Sequence, residues 1–458
     1  MTISEAAGAL REGRITSAEL TRSALDSIGR LNPSLNAFLS VLPERAAGRA
    51  AQADQALAAG FDRGLLHGIP LAIKDLFAMR GVRLTAGSMI QNEAPATDAA
   101  VVEKLEATGA VILGTLNLHE LAYGVTSENP HFGAVRNPWN RNHSAGGSSG
   151  GSGAAVAAGL VFAALGTDTG GSIRIPAAFC GTVGFKPTYG LVSRFGTRPL
   201  GFSLDHVGPL ARTVRDAAVL LQAIAGYDSR DPASVHSAAD YVPEASCTIR
   251  GVRLGVPEAY FFDRLDSDVE PAVRSNIARS RSLGATIVPV RLPDMNALNA
   301  IGQILLLAEA AAVYEKHLKN RDRFGSDVLA LLDQGRLVPA TDYINAQRLR
   351  RKAQIEFRKV WSDVDCLITP TSPIPAPQLG QKTVALGGED QEVRAAATRF
   401  TRCFNVLGLP AISIPCGVTS AGLPIGLQIV GPPLGDQLVL AVAAALEDAG
   451  ATIPPCPV

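Results

Sequence analysis

Two periods of hydrophobic and polar positions alternate along this chain. Short apolar runs bounded by glycine, proline or a charged residue fall at 71–73, 110–113, 161–166, 183–187, 252–256, 286–290, 365–370, 411–415 and 425–430. Runs of that length between turn residues predict buried strands. A shorter piece at 190–193 is strand-like. Between them lie longer stretches with apolar residues three and four apart, which predict helices over 97–108, 214–225, 269–283, 297–318, 340–360, 395–406 and 437–449, with a short one at 119–123. Strands alternating with helices predict an α/β protein. Residues 3–60 read as helices. Thr16-Ser17-Ala18-Glu19 has the order of an N-cap box, and 44–59 is alanine-rich. Residues 226–245 read as a loop-rich surface excursion. No internal repeat or domain boundary stands out, so 1–458 is expected to be one domain, with 1–60 a helical segment packed on it.

One stretch does not fit a simple strand or helix. Residues 144–176 read SAGGSSGGSGAAVAAGLVFAALGTDTGGSIRIP. Two glycine-flanked serine clusters, at 146–151 and 170–172, bracket small and apolar residues that predict a helix over 152–160 and then the strand 161–166. Glycines beside a serine permit positive φ and close approach, so a hydroxyl and several N–H groups can face one point. Acyl transfer needs both a nucleophile and a hole for the oxyanion. A flexible linker would not carry the core-like run that follows. A phosphate-binding loop needs a lysine after its glycines, and none occurs between Lys104 and Lys186. Gly146-Gly147-Ser148-Ser149-Gly150 fits the spacing of a hydrolase nucleophile elbow, but the polar 136–143 before it cannot be the buried strand an elbow requires.

Composition narrows the classes. The chain is 47% hydrophobic and 18% charged, enough to build a large core. Formal net charge is zero and no basic stripe stands out, which argues against direct nucleic-acid binding. The densest basic cluster, 348–352, falls on a predicted helix and reads as a solvated face. Six scattered cysteines without a C-x-x-C imply reduced thiols and a cytoplasmic setting. The first residues do not resemble a signal peptide, and 145–167 is too rich in Gly and Ser to span a membrane. None of the seven histidines has metal-ligand spacing, and nothing nominates one as a base.

Lys74 closes the strand 71–73. Lysine is rarely buried without a partner, so the plain expectation is that it snorkels to solvent or pairs with Asp75. The alternative is a desolvated lysine, neutral enough to take a proton from a serine.

Ile73-Lys74-Asp75, the cluster 146–152 and Gly166-Thr167-Asp168-Thr169-Gly170-Gly171-Ser172-Ile173-Arg174-Ile175-Pro176 together resemble the amidase signature family. The likeness runs over about 15–190 and resumes at 365–373 and 408–432. It implies a single large domain with a central mixed β-sheet covered by helices on both faces. It implies a triad of Ser172 as nucleophile, Ser148 as the bridging serine after a cis peptide bond, and Lys74 as base. It also implies an oxyanion hole from the N–H groups of Thr169, Gly170, Gly171 and Ser172. Ser149, Thr167, Asp168 and Arg174 would brace the loops, and Tyr123, Thr126 and Ser127 would line the acyl pocket. No metal or organic cofactor is implied. The expected partner is a small-molecule amide, with no nucleic acid bound directly, no membrane, and a homodimer as the assembly.

The family includes simple amide hydrolases and the glutaminase subunit of tRNA-dependent amidotransferases. Residues 126–140 resemble that glutaminase. Two departures count against it. The glutaminase has an aspartate shortly before its Asn-Leu-Ala-Gly-Leu-Pro, where this chain places Thr398 ahead of Asn405-Val406-Leu407-Gly408-Leu409-Pro410. It also has a basic pair after Phe-Gly-x-x-Val, where this chain continues Phe324-Gly325-Ser326-Asp327-Val328-Leu329-Ala330-Leu331. A stand-alone amidase is therefore the favoured expectation. The segments 300–340 and 373–400 are expected to face substrate.

Overall fold

Thr16 starts its helix as the sequence predicts: its hydroxyl accepts from Glu19 N–H and the Glu19 carboxylate accepts from Thr16 N–H. The helix runs Ser17–Leu35, and Pro43–Ala58 is the alanine-rich helix after it. Between them the chain departs from expectation. Phe38–Val41 is a strand, β1, so the N-terminal 60 residues are not wholly helical. The computed structural model describes residues 1–450 and 453–458.

The further strands are β2 (Pro70–Lys74), β3 (Val111–Leu116), β4 (Glu128–Asn129), β5 (Gly133–Ala134), β6 (Ala163–Asp168), β7 (Val183–Lys186), β8 (His206–Ala211), β9 (Arg253–Val256), β10 (Thr286–Pro289), β11 (Cys366–Pro370), β12 (Thr383–Leu386), β13 (Glu389–Glu392), β14 (Ala411–Val418) and β15 (Pro424–Val430). Eleven of them form one mixed sheet, in the order β1-β3-β2-β6-β8-β7-β14-β15-β11-β9-β10. β4 with β5 and β12 with β13 are separate two-stranded ribbons. β3, β2 and β6 are mutually parallel, while β8 pairs antiparallel with both β6 and β7.

Successive side chains of a strand face opposite sides of its sheet. Leu71 and Ile73 enter one apolar cluster, and Ala72 enters another. Ala163 and Leu165 divide from Ala164 in the same way. Both faces are therefore buried under helices, which is why these strands read as continuous apolar runs rather than as alternation. Val214–Ile224 and Asp436–Asp448 contribute to the first cluster, and Gly150–Ala157 and Arg174–Cys180 to the second.

Other expectations need correcting. Residues 190–193 form no strand, only an isolated bridge between Val192 and Ala225. The helix expected over 395–406 is two, Val393–Thr398 and Arg402–Leu407, and the break carries Thr401. Met295–Tyr314 is the helix expected from 297, and a short 3-10 turn follows it. It is long and apolar enough to cross a membrane by length and composition, but half of it is buried against the helices Ser326–Arg336, Ala340–Phe357 and Arg402–Leu407. In the basic cluster Arg351 and Lys352 are exposed, whereas Arg350 donates to the carbonyls of Val406 at 2.7 Å and Ser203 at 2.9 Å.

Candidate active site

β2 and β6 lie side by side with Ile73 opposite Leu165, so their carboxyl ends deliver Lys74 and residues 166–168 to one edge of the sheet. Such edges are where α/β sheets place their chemistry. The first glycine-serine cluster turns into the helix Gly150–Ala157, seated beneath that edge. A side chain at Gly151 would strike the carbonyls of Asn117 and Ala37, so glycine is required for the approach. The second cluster follows β6 directly. Gly171 has φ +134° and sits against Thr401 and Ile175, in a conformation an L side chain adopts only with strain.

Lys74 neither snorkels nor pairs with Asp75. Its side chain is fully buried, and Nζ lies 2.7 Å from Ser148 Oγ, 2.8 Å from Thr167 Oγ1 and 2.9 Å from Ser149 Oγ. Asp75 turns away to the amide and hydroxyl of Thr85. Burial pushes the Lys74 ammonium well below the usual lysine range, and the more distant Asp168 and Asp205 charges only partly oppose it. All three partners are hydroxyls, which can donate as well as accept. A neutral amine can therefore donate to two of them and take a proton from the third. The peptide bond between Gly147 and Ser148 is cis.

The two clusters are fastened together. Ser149 N–H donates to the Ser172 carbonyl at 3.2 Å, and the Ser149 hydroxyl donates to the Thr167 carbonyl at 3.2 Å. Beneath the second cluster lies a buried ion pair. The Arg174 guanidinium grips Asp168 through Nε at 3.0 Å and Nη2 at 2.9 Å. It also donates to the Thr401 carbonyl, the Gln428 amide oxygen and the Asn405 amide oxygen. Burial works against the Asp168 carboxylate, but Arg174, with Lys186 and Asn405, outweighs it and holds the group well below the usual carboxylate range. Asn405 and Gln428 escaped the sequence reading. A polar Gln428 inside the otherwise apolar β15 was the available signal.

Asp168 changes the expected oxyanion hole. Its Oδ1 accepts the Gly171 N–H at 2.7 Å, so that amide is engaged. The N–H groups of Thr169, Gly170 and Ser172 have no such partner among the described residues. Ser127 also differs from expectation. It is fully buried, donates to the Ser148 carbonyl at 3.2 Å and accepts from Gly150 N–H at 3.1 Å, so it supports the serine segment rather than lining a pocket. Tyr123 and Thr126 line a cleft of about 620 Å³, with Arg394 over the Tyr123 ring and Asp327 on its wall, but Ser148 and Ser172 are not among the residues that line it. A cavity of about 260 Å³ is lined by Thr167 and Thr169 with the half-buried Asp205 and the buried His206. Sequence reading also passed over Arg402, whose side chain lies against Gly170.

The chain belongs to the amidase family: the Amidase family model matches residues 19–440. Members of this family act on C–N amide bonds. Among its relatives, a glutamyl-tRNA(Gln) amidotransferase subunit from Chromohalobacter salexigens is 42% identical, over 91% of this chain and 90% of that protein. A solved structure described as a vestigial protein complex that reveals the evolutionary origins of an s-triazine catabolic enzyme superposes with TM-score 0.94 and 37% identity, covering 98% of this chain and 99% of that one. The corresponding glutamyl-tRNA(Gln) amidotransferase subunit from Thermotoga maritima superposes with TM-score 0.83 and 34% identity, over 100% of this chain and 97% of that one.

Proposed function

We propose that this chain is an amidase active without other subunits, alone or as a homodimer, and that it hydrolyses a carboxylic or ureido amide to acid plus ammonia or amine. The observation that carries the reading is Lys74, desolvated and enclosed by three hydroxyls with Ser148 nearest, at 2.7 Å. Neutral Lys74 takes the Ser148 proton while Ser148 takes that of Ser172. Ser172 Oγ then bonds to the amide carbonyl carbon. The oxyanion rests on the N–H groups of Thr169, Gly170 and Ser172, and each such donor is worth about 10²–10³-fold in rate. As the C–N bond breaks, Ser148 returns a proton to the leaving nitrogen and is itself replenished by Lys74. Water, activated by the same relay, then releases the acid from Ser172.

The second reading, a glutaminase component of a tRNA-dependent amidotransferase, is favoured by the 42% identity to a protein of that kind. Two contacts weigh against it. Thr398, where the glutaminase carries an aspartate, is buried with its hydroxyl donating to the Arg394 carbonyl. Asp327, in the stretch where the glutaminase has basic residues, is held by His119 at 2.9 Å. Neither position carries the charge of its glutaminase counterpart: Thr398 is neutral where an aspartate would stand, and Asp327 is acidic where basic residues would stand.

The test is release of ammonia or amine by the purified chain from aliphatic, aryl and ureido amides and from glutamine. Turnover of a simple amide that disappears in Ser172→Ala supports the proposal. Turnover that survives the substitution removes Ser172 as nucleophile. Release from glutamine alone, and only with added subunits, favours the second reading.

A further inference from the structure

Arg402 opens the helix Arg402–Leu407, and its side chain passes over the open side of Gly170. Nε lies 3.7 Å from where a Gly170 Cβ would stand, and the aliphatic stem packs against Gly302 on the neighbouring helix. Gly170 is two residues before Ser172. Nε is buried and has no hydrogen-bond partner, Arg402 forms no ion pair among the described residues, and the nearby Arg394 works against its charge. Arg174, the fully buried arginine beside this loop, has five acceptor contacts through its side chain. Arg402 has been brought to the same place and left without a counter-ion.

A second buried donor points the same way. The Tyr123 hydroxyl is buried and finds no acceptor, and Arg394, which lies over its ring, acts on it more strongly than Arg402. Buried polar groups in folded proteins are normally satisfied, and a guanidinium is satisfied best by the two oxygens of a carboxylate. Arg402 also walls a cavity of about 1080 Å³, together with Tyr260, Asn299, Gln303 and Arg399 and the carboxylates Asp263, Asp294 and Glu389, so there is room on that side of the guanidinium, away from Tyr123.

We propose that Arg402, assisted by Tyr123, is a carboxylate-binding subsite on the acyl side of Ser172, and that the preferred substrate is the monoamide of a short dicarboxylic acid or its ureido counterpart. The carboxylate fills the unpartnered guanidinium and so sets the amide carbonyl over Gly170 and Ser172. An uncharged amide of the same length leaves both donors unpaired and is selected against.

This inference rests on the amidase reading, and the experiment separates the two. Succinamate and butyramide differ in the terminal carboxylate. The wild-type kcat/KM for succinamate is expected to exceed that for butyramide by at least about 10²-fold. Arg402→Met should erase that preference through KM, lowering succinamate by about 10²-fold and butyramide by no more than about threefold, with Arg402→Lys restoring part of it. Equal use of both amides by the wild type, or an equal fall for both in Arg402→Met, overturns the proposal. Calorimetric titration with succinate reads the subsite without chemistry. Binding by the wild type that Arg402→Met loses supports it, even if neither amide is cut, and no binding by the wild type overturns it. Labelling of Ser172 by an uncharged fluorophosphonate reads the amidase function alone.

Discussion

Lys74 and Lys186 are each the last residue of a strand, and each is fully buried. For both, burial is the largest influence on the ammonium and lowers its pKa, to about 7 at Lys186. Their partners differ. Lys74 meets three hydroxyls. Lys186 donates to the carbonyls of Pro187 and Leu409. A carbonyl only accepts, so the Lys186 amine can donate to both carbonyls in either protonation state but finds no proton to take from them. A hydroxyl can reverse its role, so a lysine among hydroxyls can lose a proton and still be satisfied. Desolvation alone does not make a base. The acceptor or donor character of the surrounding groups decides whether a buried amine works as chemistry or as a strut.

The sharpest way to break this comparison is Lys74→Met. Turnover should fall at least about 10³-fold, as for loss of one member of a catalytic unit. The thermal midpoint should stay level or rise, because the cost of burying an amine disappears. Retained turnover in this variant would mean that Lys74 is a strut like Lys186. Next comes Asp168→Asn. Asp168 is the carboxylate whose charge acts on both lysines, and it is the counter-ion of the buried Arg174. Uncovering that arginine should cost about 3–5 kcal/mol in urea unfolding. A loss near zero would show that Thr401, Asn405 and Gln428 hold Arg174 unaided.

The smallest effect is a slope. Above about 7 the folded chain has begun to lose the Lys186 proton, whereas an unfolded lysine keeps its own until about 10.4. The unfolded state binds more protons in that window, so stability rises with pH there, and the penalty is fully present below it. Lys186→Met should remove up to about 1.4 kcal/mol per pH unit of that rise, measured by urea unfolding from neutral pH to pH 10. Lys74→Met should flatten the slope in the same direction. An unchanged slope in both would show that the lysines stay protonated inside the fold.

Much of this was legible in the sequence. The runs around Leu71–Ile73 and 161–166 read as strands because both faces of the sheet are covered, and the glycine-serine clusters stood out because linkers and phosphate loops lack their flanks. β8 was not legible, since Gly208 and Pro209 interrupt its apolar residues and only its two neighbours make it a strand. β1 was hidden between helices for the same reason: Phe38–Val41 has too little pattern of its own and is fixed by β3. At the site, Lys74, Ser148 and Ser172 carried local signatures. Arg402 carried none, because its meaning lies in the partner it lacks, and a missing counter-ion is visible only when distant segments are set side by side.

The Arg174 brace also orders events during synthesis. Ser148, Ser172, Asp168 and Arg174 leave the ribosome early, but the acceptors that complete the brace, on Thr401, Asn405 and Gln428, follow 227 to 254 residues later. With a chain growing at about 5–20 residues per second, the serine is exposed for several seconds or longer before its loop can be held in shape. The proposed reactive centre is thus time-locked. A ribosome that stalls or a chain cut short before β15 yields a polypeptide carrying every member of the proposed triad but without the finished clamp beneath it.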